Sequence, residues 1–262
     1  MKVIDAHAHI YPDKIAVKAS GSISEFYDIP VKYDGTVGTL LESGARDGIA
    51  MHLVHSVATV PEQVESINNF IAKAVAEHQD KFIGFATLHQ DMEDIEQELD
   101  RITGLGLRGI KLHPDFQRFY IDEPKLDRIY SALEGRLPLL IHTGDYRYKF
   151  SSPSRAANVL TRFPKLDMIC AHFGGWSEWD ESERLLAGRR VWVDTSSSLA
   201  FMTPERGRRL VDAFGEDRII FGTDYPMWDA ASEFERLEKL GLSWEAKEKI
   251  FYKNICGLLG MA

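Results

Sequence analysis

Hydrophobic positions along the chain fall into two alternating kinds of segment. Short runs rich in β-branched and aromatic residues read as strands: KVIDAH near the start, then residues 49–56, 81–88, 107–113, 138–144, 166–172, 191–197 and 218–224. Between them lie longer stretches with helical spacing of apolar residues, such as PEQVESINNFIAKAVAEHQD (61–80) and DMEDIEQELDRIT (91–103). The strand runs are almost continuously apolar, as strands covered on both faces must be. Eight strands, each followed by a helix, predict a closed (β/α)8 TIM barrel of the α/β class. The rival, a doubly wound open sheet, usually carries a glycine-rich phosphate loop after its first strand. Here that place reads AHAHIYPDK, without glycine.

Two segments exceed an ordinary connection. Residues 10–35 form a long insertion after strand 1, the length of a lid, a binding element or a surface excursion with a small helix. The tail SWEAKEKIFYKNICGLLG (243–260) predicts a C-terminal amphipathic helix capped by Ser243, with a packing role. No linker, low-complexity tract or fixed-period repeat divides the chain, so residues 1–262 read as a single domain.

Composition narrows the function classes. The formal charge of −9 argues against a nucleic-acid or anionic-membrane surface. At 44% hydrophobic and 27% charged, the chain is an ordinary globular composition with ample core material. No apolar stretch approaches bilayer length, and the opening residues lack a charged-then-apolar leader. The two cysteines, Cys170 and Cys256, sit in apolar stretches and read as buried free thiols, which fits a cytoplasmic protein.

Polar residues interrupt the strands at their C-terminal ends: His7 and His9, His55, Lys111 and His113, His142, His172, Asp194 and Asp224. In a barrel those ends converge on one mouth, where active sites of this fold lie. One histidine at a strand end is commonplace, but so many at the same end are hard to explain as packing. Imidazoles and a carboxylate suit Zn²⁺ and similar divalent ions. His7 and His9 alternate along a strand and so share a face, able to grip one ion together. Asp194 is expected to support a ligand histidine from behind. His52, of opposite parity to His55, faces the helices, Cys170 shares parity with His172 and lies a layer deeper, and His78 and His89 read as solvated. Aromatics in the loops (Tyr146, Tyr148, Trp176, Trp179, Tyr225, Trp228) suit a flat or apolar small-molecule substrate, with Arg147 or Lys149 to meet a carboxylate.

The motifs DAHAHIYP, LIHTGD, CAHFGGW and IIFGTDYP, in strand order over nearly the whole chain, resemble the amidohydrolase superfamily. More narrowly they resemble its amidohydrolase-related branch, which includes aminocarboxymuconate-semialdehyde decarboxylase. The resemblance implies one divalent metal held by His7, His9, His142 and Asp224. Zn²⁺ is the expected ion, with Mn²⁺, Fe²⁺ or Co²⁺ as alternatives. It also implies that Asp224 takes a proton from water and that His172 orients that water or contacts substrate. IKLHP is similar to the dihydroorotase version of strand 4, in which the lysine is carboxylated and bridges two metals. Lys111 therefore reads either as such a bridge, with a second metal, or as a group binding an anionic substrate. His113, His55 and Arg147 are further candidates for lining the site, and relatives are frequently dimers.

Three functions follow in order. The first is hydrolysis of an amide, ester or lactone of a small molecule. The second is nonoxidative decarboxylation of an aromatic or unsaturated acid; it needs an arginine to hold the carboxylate, for which Arg46 and Arg147 are the candidates. The third is a non-catalytic binder, which an all-His/Asp set fits poorly because structural zinc sites commonly use thiolates.

Overall fold

The computed structural model describes residues 1–261. Each of the eight predicted runs contains a strand: β1 (Ile4–His9), β2 (Met51–His55), β3 (Phe82–Gly84, resuming after Phe85 as Ala86–Thr87), β4 (Ile110–Leu112), β5 (Leu139–Ile141), β6 (Met168–Cys170), β7 (Trp192–Asp194) and β8 (Ile219–Ile220). Neighbours pair in parallel and in chain order. At the break in β3, Phe85 N donates to Val54 O (3.0 Å) and Ala86 N to Gly109 O (2.8 Å), so the ladder passes through without a gap. The ring closes between first strand and last, with Ala6 N donating to Phe221 O and Asp224 N to His7 O, both at 2.9 Å. The strands are shorter than the apolar runs, because the residues past their C-terminal ends leave the ladder for the loops of the mouth.

The core has two compartments. Ile4, Ala6, Leu53, Ile83, Phe85, Leu140, Ile169, Ala171 and Ile220 fill the barrel interior, and Ile255, Cys256 and Leu259 plug its floor. A second, larger cluster packs the outer strand faces against the helices. Cys170 belongs to this outer cluster, which corrects the expectation that it lies inside the barrel beneath His172. The physical reason is local. His172 and Phe173 adopt left-handed φ (61° and 49°), so the two-residue alternation ends with the strand. Both cysteines are buried and free. Gly109 is required by close approach, since a Cβ there would lie 2.4 Å from the Phe85 ring.

The insertion carries α1 (Asp13–Tyr27), and α2 (Val37–Asp47) then returns the chain to β2. The tail departs from a single helix: Trp244–Glu248 is α-helical, Lys249–Lys253 is a π turn, and Asn254–Leu259 is α-helical again. Ser243 caps it as expected, accepting from Ala246 N at 3.1 Å. Asn254 explains part of the wider turn, donating to both Glu216 O and Ile219 O at 2.7 Å. His89 is buried, 3% exposed, and accepts from Asp91 N (3.2 Å), correcting the expectation that it is solvated. No described helix is long and apolar enough to cross a membrane.

Two outcomes follow for stability. Phe85→Ala empties the centre of the barrel interior and should cost about 3–5 kcal/mol in a denaturant titration. Asp229 caps the helix Ala230–Glu238 through Ser232 N (2.9 Å) and Ser232 Oγ (2.8 Å) and pairs with Lys32. Burial opposes its charge, but Lys32 and Ser232 outweigh burial and hold its pKa down at about 2. A depressed carboxylate stabilises above its unfolded pKa, and that stability fades as pH falls from about 4 toward 2. Asp229→Asn should therefore be less stable than the native chain by about 1 kcal/mol at pH 6, with the gap closing by pH 2 in urea midpoints.

Candidate active site

A bulge in β1 turns the histidine pair inward. Asp5 is opposite His52, yet Ala8 is opposite Val54, so β1 carries one extra residue between them. Before the bulge Ile4 and Ala6 face the barrel interior. Asp5 faces away, its Oδ2 3.3 Å from His52 Nδ1, and accepts from Thr223 N (2.9 Å) and Thr223 Oγ1 (2.7 Å). After it, His7 and His9 face inward instead, with ring centroids 5.3 Å apart. His52 lies outside as parity predicts, against Gly44 of α2, where a Cβ would come within 2.2 Å of its ring.

At the mouth, His7 Nε2 lies 3.4 Å and His9 Nε2 3.5 Å from Asp224 Oδ1. Lys111 Nζ is 3.1 Å from His7 Nε2. A tetrahedral site with bonds of 2.0–2.1 Å has donor-to-donor edges of about 3.3 Å, so this donor set fits one divalent ion. The protonation states fit as well. Burial lowers His9 to about 4, His172 to about 3 and Lys111 to about 8. Burial works against the charge on Asp224, yet His7 and His9 together hold its pKa well below the usual range. His9 and His172 are thus neutral and the acid ionised near neutrality, the states that metal ligation requires.

Supporting groups fix the rings. Asp194 Oδ2 lies 2.8 Å from His7 Nδ1, placing the proton there and leaving Nε2 as donor to an ion. The other oxygen of Asp194 accepts from His172 N (2.9 Å), Ser196 N (3.1 Å) and Ser196 Oγ (2.5 Å). Burial disfavours its charge, but His7 and the bonds from its neighbours bring it to about 2. Ser197 Oγ donates to Asp224 Oδ2 (2.5 Å) and accepts from Trp228 Nε1 (3.0 Å), which turns Oδ1 toward the histidines. Asp224 and His172 both hold left-handed φ, 63° and 61°, strain of the kind that the surrounding structure must compensate. Gly222 lets the ring close tightly here, since a Cβ would lie 2.9 Å from His7 Cβ.

His142 shares the cavity wall but stands apart from the His7, His9 and Asp224 group. Its Nδ1 is 3.0 Å from His172 Nε2. Its Nε2 is 3.1 Å from Asp115 Oδ2 at an angle too poor for a hydrogen bond, and its ring stacks on His113 with centroids 4.2 Å apart. His172 Nδ1 lies 2.9 Å from Ser196 Oγ. Three donor groupings result: His7 with His9 and His55, His7 with His172 and Asp194, and His113 with Asp115 and His142. His55 is fully buried behind the pair, 4.4 Å from the His9 ring, with neither nitrogen hydrogen-bonded.

Lys111, His113, His142 and Trp176 line the cavity as the sequence suggested. Arg147, read as a candidate to meet a substrate carboxylate, does not line it. It forms a two-pronged pair with Asp145 (2.9 and 2.7 Å), donates to Phe26 O (2.8 Å), and packs over the Phe26, Tyr27, Tyr148 and Trp176 rings. It clamps the β5 loop to α1. Arg46 is on the surface with Asp47 and Tyr33, Lys149 pairs with Glu178, and Tyr225 is buried against Tyr33. Sequence reasoning missed Asp115, Ser196, Ser197 and the wall that α1 supplies, Ile23 and Tyr27, whose hydroxyl lies 3.0 Å from His113 Nε2. The phase of α1 carried no signal for the last two. Asp115 follows HP at a helix start, an ordinary place for an acid.

The family described as Amidohydrolase matches residues 4–260, and the chain belongs to it. Among solved structures, the chain is similar to an uncharacterized TIM-barrel protein from Bordetella bronchiseptica, at 19% identity and TM-score 0.81, covering 99% of each chain. It is also similar to 5-carboxyvanillate decarboxylase from Sphingomonas paucimobilis, at 17% identity and TM-score 0.75, covering 100% of this chain and 99% of that one. A third match, described as a probable 2-pyrone-4,6-dicarboxylic acid hydrolase from Acinetobacter baumannii, has 16% identity and TM-score 0.73 over 100% of both. These likenesses establish the fold, and their chemistries are not the same as one another.

Removing the carboxylate behind His7 separates support from ligation. Asp194→Asn should weaken Zn²⁺ affinity by about 10–100-fold in competition with a chromophoric chelator, while the circular-dichroism spectrum stays native.

Proposed function

We propose that this protein is a metal-dependent hydrolase that cleaves an amide, ester or lactone of a small molecule at the barrel mouth. One divalent ion, with Zn²⁺ the expected one, would be held by His7, His9 and Asp224, with His142 as the further ligand that the family resemblance implies. When bound, such an ion polarises the carbonyl to be cleaved and lowers the pKa of a water. The carrying observation is the acid of the site: Asp224 is ionised, presents Oδ1 to both histidines, and is held by Ser197 on its other oxygen.

The residues then divide the work. Asp224 Oδ1 accepts the proton of the attacking water and returns it to the leaving group. His172, its Nδ1 tied to Ser196, aims Nε2 into the cavity beside His142 and orients that water. Lys111, buried and lowered to about 8 by burial, meets the negative charge of an anionic substrate. In the alternative, Lys111 carboxylated by carbon dioxide would help to hold a second ion, with His142 and His172, whose facing nitrogens are 3.0 Å apart, as further candidate ligands.

Decarboxylation is the second reading, favoured by the hydroxybenzoate-type decarboxylases among the structural matches. Hydrolysis is preferred because no described arginine lines the cavity, and the two candidates from the sequence are engaged elsewhere.

Purified full-length protein supplemented with Zn²⁺ should hold about one divalent ion per chain by elemental analysis. His142→Ala should lose the ion and at least 10³-fold in kcat on whichever ester or lactone of a panel is turned over. A native chain that binds no divalent ion would end the proposal. Carbon dioxide release from carboxylated aromatics, with no turnover of the panel, would replace hydrolysis by decarboxylation. Two ions per chain, with a bicarbonate requirement and loss on Lys111→Ala, would establish the bridged form.

A further inference from the structure

The chamber in front of His7, His9 and Asp224 has a free volume of about 30 Å³, room for two or three waters and too little for the body of any substrate. Beside it lies a cavity of about 710 Å³, within the range of small-molecule sites. The two share His9, Ile23 and Phe116 as common wall, so the larger one lies directly beside the reacting end of the site. It runs between α1 and the helix Val64–Glu77, with Phe26 on one side and Ile67 and Phe70 on the other. Ile67 and Phe70 pack on the core with one face, Phe26 packs on Phe116, Tyr148 and Arg147, and all three stay half-buried where they line the cavity.

Two cations line the same cavity, Lys14 from the start of α1 and Arg118 from the β4 loop. Both are exposed, and neither side chain makes a hydrogen bond or ion pair among the described residues. Arg147, by contrast, is engaged with Asp145. An apolar slot that borders the chemistry at His9 and carries two unpaired cations is complementary to one kind of molecule.

We infer that this cavity is the substrate-body subsite, and that the substrate is an elongated apolar acyl or aryl compound with an anionic group remote from the cleaved bond. The inference rests on the hydrolytic site proposed above for its reacting end, but not on the reaction itself. The carbonyl lies at His9 and Asp224, the apolar body between α1 and the helix Val64–Glu77, and the anion at Lys14 and Arg118. Shape and apolar burial set affinity, and the cations set which end enters first.

Binding tests this without turnover. Full-length, Zn²⁺-supplemented protein is titrated calorimetrically with octanoate, decanoate and dodecanoate, and with dodecanol. Affinity should rise severalfold with each two added methylenes, and dodecanol should bind at least tenfold more weakly than dodecanoate. Arg118→Glu should weaken dodecanoate about tenfold or more, and Ser66→Trp, which fills the slot from its polar rim, should abolish its binding. Both variants should retain the metal content of the native chain. A flat response to chain length, or an Arg118→Glu variant that binds dodecanoate normally, overturns the subsite. So does binding that disappears on chelation and ignores Arg118, since the carboxylate then sits on the ion. Chain-length-dependent binding with no hydrolysis of any ester would keep the subsite and remove the hydrolytic reading; hydrolysis of short esters with no slot binding would do the reverse.

Discussion

Everything at the mouth hangs on Asp194. This buried carboxylate at the end of β7 accepts a hydrogen bond from His7 Nδ1 on one oxygen and from the backbone N–H of His172, with Ser196, on the other. Three separate strands are thereby fixed relative to one another by one side chain. The cost of burying its charge is met by four hydrogen bonds and by neighbouring imidazoles, which is why it remains ionised. With the His7 tautomer set by Asp194, Nε2 is left free to face Asp224. The same economy appears around Asp224 itself, where Ser197 and Trp228 occupy one oxygen so that the other is available.

The barrel supplies the frame and the insertion supplies the enclosure. Tyr27 and Ile23 of α1 form one wall of the reacting chamber, and Arg147 locks α1 to the β5 loop through a carboxylate, a carbonyl and four aromatic faces. An arginine at an enzyme mouth invites a role in substrate binding. Here the cation is used to hold a wall in place, and its pairing with Asp145 leaves little charge for a ligand. The unpaired cations, Lys14 and Arg118, line the neighbouring cavity instead.

Most of the architecture was legible because the alternation of apolar runs and amphipathic stretches has few folds that satisfy it. The strand-end histidines and acids were legible for the same reason, once the runs were aligned in a ring. What stayed hidden depended on backbone geometry that no side-chain pattern encodes. The bulge in β1 and the left-handed turns at His172 and Asp224 shift which residues face inward, and Cys170 fell on the wrong side of that count. Side-chain engagement was equally invisible: nothing in the string YRYK announces that Arg147 folds back onto Asp145. Ser196 and Ser197 look like loop residues until their hydroxyls are seen on Asp194 and Asp224.

The strand that brings His7 and His9 is also the one that shuts the ring, bonded on its free side to residues around Phe221 and Asp224. The contact between His7 and Asp194 spans 187 residues of chain. Such distant partners are among the last to meet as a polypeptide collapses, since the loop between them must first be ordered. During synthesis β1 must therefore wait, one edge unpaired, until β8 has emerged. Competence for chemistry and completion of the cylinder are a single event.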